Sequence, residues 1–266
     1  MLSSRLSIIN DINAALKDVD KIVIVMSGKG GVGKTLVSCS LAIGLNMKGY
    51  SVAILDADIH GPSVPWMLGI ANELLRAEGD RILPIEINDI GVVSFDLLLD
   101  VKEMPIVWRG PLKTRALLEI LSKTLWGRRD YLIIDMPPGT GDEPLTIIQW
   151  LRDRISGAIL VITPGMLVKH IVSKAKSFLY NTNVKYLGTV VNMAYFKCPV
   201  CGSIHRIFGT VDIDSKEIIA EIPIDPDLAK YIENGKIIEY LKQENETSKK
   251  LLMISTYVEN ILSKTP

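Results

Sequence analysis

Cysteine is scarce: the 266 residues hold three, Cys39, Cys198 and Cys201, too few and too odd a number for a disulfide framework. A reducing interior is the expected setting. Net charge is missing too, because 30 basic residues balance 30 acidic ones, so no overall field points to nucleic acid. No apolar stretch approaches the roughly 20 residues that span a bilayer; the longest runs, such as Ile22 to Met26 and Ala158 to Ile162, are strand-sized. The opening MLSSRLSIINDINAALKDVDK has polar residues every few positions and lacks the continuous apolar core of a signal peptide. These absences predict a soluble cytoplasmic protein, with no export, no stable membrane attachment and no nucleic-acid partner. Repeats, low-complexity tracts and an interdomain linker are also lacking, so residues 1–266 read as one domain.

What is present is an apolar share of 48%, enough for a sizeable core. Lys21 to Ser27 reads as a buried strand, Lys34 to Met47 as a helix with apolar residues at three- and four-residue spacing, and Ser51 to Leu55 as a second strand. Further β-branched segments follow at Gly91–Phe95, Tyr131–Ile134, Gly157–Ile162, Tyr186–Val191 and Ile218–Ile222, mostly separated by helical patterns. That alternation predicts an α/β fold, a mostly parallel twisted sheet with helices on both faces, which binds ligands at the carboxyl ends of its strands. From Cys198 to Phe208 the periodicity breaks down, predicting a cysteine-bearing inserted loop at about 194–209. A wholly polar stretch, Lys242 to Lys250, precedes a final amphipathic helix from Leu251 to about Leu262.

Gly28-Lys29-Gly30-Gly31-Val32-Gly33-Lys34-Thr35 fits G-x-x-x-x-G-K-[ST] between a strand and a helix, the phosphate loop of a P-loop NTPase. Its glycines let successive backbone N–H groups curl around phosphate oxygens, and the helix N-terminus adds its positive dipole end. Lys34 would reach the terminal phosphates of ATP, and the Thr35 hydroxyl would bind magnesium. A merely structural glycine turn leaves the lysine and threonine unexplained. Asp58 in ILDAD and Asp135 in LIID follow strand ends, where Asp58 is suited to orienting water or holding a magnesium-bound water, and Asp135 to the Walker B role. Pro137 to Asp142, a stiff segment beside a flexible one, suits a switch that senses the terminal phosphate; the role of Asp142 stays open.

Lys29 is not needed to bind nucleotide within one chain. With DADIHGPS and IIDMPPGTGD, the loop that carries it resembles the deviant Walker A ATPases, the group of MinD, ParA and the nitrogenase iron protein. The resemblance implies that Lys29 crosses a homodimer interface to the partner's nucleotide and, with Lys34, Asp58 and Asp135, serves catalysis. A closer resemblance, to the Mrp/ApbC branch of iron-sulfur cluster carriers, rests on Asp56–Pro65, Trp108–Thr114, Trp126-Gly127, Asp130–Asp142 and Asn192–Gly209. It implies that Asn192 contacts the adenine base and that a [4Fe-4S] cluster passes to apo acceptor proteins. Two departures stand out: the N-terminal domain and N-terminal cysteine cluster of some relatives are lacking, so their tasks are expected to be absent or supplied separately. Gly165 also stands where many relatives have glutamine.

Cys198-Pro199-Val200-Cys201 places two thiols close enough for one metal, with Gly202 permitting a tight turn. The spacing alone serves zinc, a redox pair or an iron-sulfur cluster. Only two ligands are local, whereas a closed site needs four. Cys39, one helical turn past Thr35, reads as a core thiol, and His205 as a solvent-exposed loop residue with ligation the lesser option. The resemblance ranks a cluster first, with Cys198 and Cys201 from two chains bridging a two-fold axis. Two other functions stay open: a MinD- or ParA-like positioning ATPase whose ATP-bound dimer attaches to membrane or DNA, the terminal helix with Lys249, Lys250 and Lys264 at its flanks leaving room for weak membrane attachment, and a nucleotide-binding protein with structural zinc at its dimer interface.

Overall fold

The structure, a computed structural model, describes residues 2–98 and 110–264. The chain runs α1 (Leu2–Ala15), β1 (Val19–Ser27), α2 (Lys34–Asn46), β2 (Val52–Asp56), α3 (Val64–Met67), β3 (Arg76–Glu78), β4 (Arg81–Leu83), β5 (Ile85–Ile87) and β6 (Ile90–Ser94). It continues with α4 (Gly110–Lys123), β7 (Arg129–Asp135), α5 (Asp142–Leu151), β8 (Ile155–Ile162), α6 (Val168–Asn181) and β9 (Tyr186–Val191). The last third holds β10 (Phe196–Lys197), β11 (Ile204–His205), β12 (Ile218–Glu221), α7 (Pro226–Glu233), α8 (Ile237–Leu241) and α9 (Glu246–Ser263).

Eight strands form one sheet in the order β12-β9-β8-β1-β7-β2-β6-β5, parallel except for β5, which pairs antiparallel to β6. This is the α/β fold that the alternation of strand and helix patterns predicts. Central β1 pairs with β7 on one side and β8 on the other. Its side chains alternate between two cores: Val23 and Val25 pack with α2, α8 and α9, while Ile22, Ile24 and Met26 pack with residues of α1, α4, α5 and α6. A strand covered on both faces must be apolar throughout, which is why it shows as an unbroken run. Because the strands are parallel, the carboxyl ends of β1, β2, β7, β8 and β9 lie on one rim.

Three features depart from the expected elements. The edge strand β5 and the β3–β4 hairpin go unsignalled, being three residues each. The terminal helix starts at Glu246, not Leu251, because Asn245 caps it by accepting from the Ser248 N–H at 2.8 Å. Its polar first turn is buried with partners: the Thr247 hydroxyl donates to Asp225 at 2.6 Å and the Ser248 hydroxyl to the Tyr240 carbonyl at 2.8 Å. The stretch expected as a cysteine loop is a short ribbon, β10 antiparallel to β11, with Phe196 opposite His205 and Lys197 opposite Ile204.

The apolar side of α9, Leu251, Ile254, Val258 and Leu262, is buried in the core that it shares with α2. Among the described residues no helix is long and apolar enough to cross a membrane. Of the Trp108–Thr114 segment, Trp108 and Arg109 lie outside the described residues, and the rest opens α4.

Candidate nucleotide site and cysteine ribbon

The β1 strand delivers the glycine loop to the rim, and Gly33, at φ 86°, caps the N-terminus of α2. Asn192, just past the end of β9, two strands from β1 in the sheet, is 4% exposed and donates its Nδ2 to the Val32 carbonyl at 3.0 Å. A Cβ on Gly33 would sit 2.1 Å from that nitrogen, so the loop closes down on Asn192 only because position 33 has no side chain. The residue expected at adenine therefore also braces the phosphate loop. Lys29, by contrast, is exposed, and among the described residues it forms no ion pair.

Two hydroxyls and an ammonium from α2's first turns converge on Asp135, which ends β7 and is fully buried. Thr35 Oγ1 donates to Oδ2 at 2.7 Å, Ser38 Oγ donates to Oδ1 at 2.6 Å, and the Lys34 ammonium lies 2.8 Å from Oδ2. Lys34 Nζ also lies 3.9 Å from Asp58 Oδ2. Among the described residues this buried ammonium has no partner in hydrogen-bond geometry; its contacts to the carboxylates are electrostatic. A buried ammonium at a helix N-terminus fits phosphate oxygens, and a hydroxyl paired with a carboxylate fits a magnesium ion.

Asp56 sits behind this cluster. It accepts the backbone N–H groups of Ser63 at 2.9 Å and Val64 at 3.1 Å through Oδ2, and of Asp58 at 3.2 Å through Oδ1. Burial, and then the nearby Asp135 charge, push its carboxyl up to about 8 against the pull of those N–H groups. It shapes the loop that presents Asp58, whose Oδ1 accepts the N–H groups of His60 and Gly61, each at 3.3 Å. Beyond the cluster, the Gly139 N–H donates to the Ser27 carbonyl at 2.8 Å, tying the Pro137–Asp142 segment to the end of β1. Asp142 opens α5, where an acidic residue complements the helix dipole. Glu143 beside it lies 3.2 Å from His60 Nε2, linking the loop after β2 to the first turn of α5.

Cys198 and Cys201 occupy the turn between β10 and β11. The turn is closed by the Cys198 N–H donating to Ser203 and the Gly202 N–H donating to Cys198, both at 2.9 Å. Cys201 is exposed, and its thiol contacts the Ser203 hydroxyl at 3.2 Å. That hydroxyl first, then the Ser203 backbone and Cys198, lower the thiol to about 7, so a thiolate is accessible near neutrality. His205 is exposed on β11. Among the described residues no group of three or more His, Cys, Asp or Glu side chains is gathered to hold a metal. Cys39 is buried in α2, where desolvation, and then Asp135, raise its thiol well above 9.0.

Residues 18–259 match the family model described as ParA, NUBPL iron-transfer P-loop NTPase. The chain belongs to this family. It is 40% identical over 255 residues to the iron-sulfur cluster carrier protein of Saccharolobus solfataricus, covering 93% of this chain and 86% of that protein. Among solved structures, it resembles a nucleotide-binding protein of Archaeoglobus fulgidus in complex with ADP, with a TM-score of 0.77, 36% identity and coverage of 91% and 96%. Pyrococcus furiosus cell division ATPase MinD shares the fold, with a TM-score of 0.64 at 21% identity over 91% of this chain and 99% of that one.

In this NUBPL-type NTPase the fold gathers Lys34, Thr35, Asp58 and Asp135, which the sequence singles out, into one cluster. It adds Ser38, Ser63 and Asp56, to which sequence reasoning assigns no role. Ser38 carries a legible signal, since it lies one helical turn from Lys34, on the same face. Ser63, which donates to Thr35 Oγ1 at 3.0 Å, comes from another loop and is not legible by spacing. Gly165 takes φ 154° with open space around it, a conformation that a glutamine would rarely adopt.

Proposed function

We propose that this protein binds and hydrolyses ATP with Mg2+ and acts as a cytoplasmic homodimer that carries a [4Fe-4S] cluster to apo acceptor proteins. In this reading residues 1–266 form a single P-loop ATPase domain. The observation that carries the ATPase is the buried Lys34 ammonium, ion-paired with Asp135 beside the Thr35–Asp135 hydrogen bond. Gly28 to Gly33 cradle the phosphates with backbone N–H groups, Lys34 neutralises the terminal phosphates, and Asn192 meets the adenine base at the rim. Thr35, with Asp58 and Asp135 directly or through water, would hold the magnesium ion, which supplies charge to the phosphate oxygens. Asp58 orients the attacking water, and Lys29 reaches the nucleotide of the second copy, so closure follows ATP.

The cluster half rests on the ribbon. Each chain offers two thiols, Cys198 and Cys201, and four are required, so two ribbons meeting on a two-fold axis complete the site. The name of the Saccharolobus relative, iron-sulfur cluster carrier protein, supports this assignment over structural zinc. The test is anaerobic reconstitution with iron and sulfide of wild type and Cys198→Ser. Cluster uptake by wild type alone is the expected result, and a zinc-loaded protein that takes up no cluster would contradict it.

A further inference from the structure

The cysteine turn hangs from very little backbone. The strands β10 and β11 have two residues each, and a two-stranded ribbon is marginal in water. Its entry is tied to the segment after β12 by the Ala194 N–H donating to Ile222 at 2.8 Å and the Ile224 N–H donating to Tyr195 at 2.7 Å. Beyond these, each leg is pinned by a side chain to a different element. On the β10 leg Lys197, next to Cys198, donates to Glu246 Oε2 at 2.8 Å, and Tyr195 donates its hydroxyl to Glu246 Oε1 at 2.8 Å. On the β11 leg Arg206 grips Glu221 with both terminal guanidinium nitrogens, at 3.1 and 2.9 Å, while lying 6.0 Å from the Tyr195 ring centre. Tyr195 is itself 6% exposed, so it joins the two contacts at a buried point.

Exposed ion pairs add at most about 1 kcal/mol each to stability, too little to explain such an arrangement by stability. A two-pronged arginine contact adds direction. Glu221 ends a sheet strand, and Glu246 opens α9, which packs along α2, the helix that begins at the phosphate loop.

We infer that Arg206–Glu221 and Tyr195/Lys197–Glu246 form a clasp that orients the cysteine turn on the ATPase body, making Arg206 and Glu246 positioning residues for a metal centre shared with a second copy. This rests on the proposed function. Without the clasp the turn keeps both thiols but swings, and the two halves of a four-thiolate site no longer meet.

The test uses the full-length protein with Arg206→Met, Glu246→Gln and the charge-swapped pair Arg206→Glu with Glu221→Arg. Hydrogen exchange of the 196–205 amides, measured without iron, should quicken about two- to five-fold for each single variant and return towards wild type in the swap. Cluster occupancy after reconstitution should fall in the single variants and recover in the swap, with basal ATP hydrolysis unchanged. Unchanged exchange overturns the clasp; faster exchange with undiminished occupancy overturns its positioning role. If wild type takes up no cluster, the proposed function fails instead, and the exchange measurement still decides whether the clasp exists.

Discussion

The Thr35 hydroxyl donates to Asp135 across 2.7 Å, joining the first turn of α2 to the end of β7. One carboxylate thereby gathers the phosphate-loop lysine, the Thr35 hydroxyl and Ser38, 100 residues distant or nearly so in sequence.

Ser38→Ala tests that convergence apart from the nucleotide. It leaves Asp135 Oδ1 without its 2.6 Å donor in a fully buried place, which should cost about 1–3 kcal/mol of stability. Urea denaturation without nucleotide measures this, and an unchanged midpoint would show that Ser38 is dispensable to the buried carboxylate.

Gly33→Ala should weaken nucleotide binding more than its size suggests. The added methyl meets Asn192 Nδ2 and the backbone is held at φ 86°, so a destabilisation of about 1 kcal/mol or more is expected. ADP titration calorimetry should show at least about tenfold weaker binding, as the loop is forced off Asn192. Wild-type affinity in this variant would mean that the loop does not depend on the Asn192 brace.

Much of the fold and of the nucleotide site is legible in the sequence. The β1 strand, the phosphate loop and α2 announce themselves because a fully buried parallel strand must be apolar and a phosphate cradle must be glycine-rich. Asp58 and Asp135 follow strand ends and are found by the same logic. The task of Asp56, holding the N–H groups of Ser63 and Val64, is not legible, because it depends on how a loop folds back. Nor is the ribbon, because two-residue strands carry no period, and its clasp joins Arg206 to Glu221 and Lys197 to Glu246 across sequence gaps that no spacing rule reads. Hydrophobic periodicity places the start of α9 too late because Thr247 and Ser248 are polar yet buried.

Lys29→Met should separate folding from association. The side chain is exposed, so the stability of the isolated chain should change by less than about 0.5 kcal/mol. Sedimentation with ATP and magnesium should nevertheless show the variant as a monomer under conditions where wild type dimerises. An ATP-dependent dimer of the variant would remove the cross-interface role of this lysine.

Acid should loosen the C-terminal third first. Lys197, then Tyr195, hold Glu246 below its ordinary 4.5, and Lys48, then Tyr50, do the same for Glu259. Burial opposes the ionisation of Asp225, but hydrogen bonds from Thr247, Tyr240, Leu228 and Asp227 together bring it below 3.8. Each group binds its proton more weakly in the folded state. Their stabilisation is thus fully present above about pH 4.5 and is lost as the pH falls through the lowered values. Denaturation midpoints should drop as the pH falls below about 4.5, with a smaller drop in Glu246→Gln. A midpoint that stays level through about pH 3 would contradict the assignment.

The most direct measurement of the central claim is native mass spectrometry of the anaerobically reconstituted protein, wild type beside Cys198→Ser. About one [4Fe-4S] cluster for every two chains is expected in wild type, and none in the Cys198→Ser protein. A cluster held by a single chain, or zinc in place of iron with no cluster formed, would contradict it.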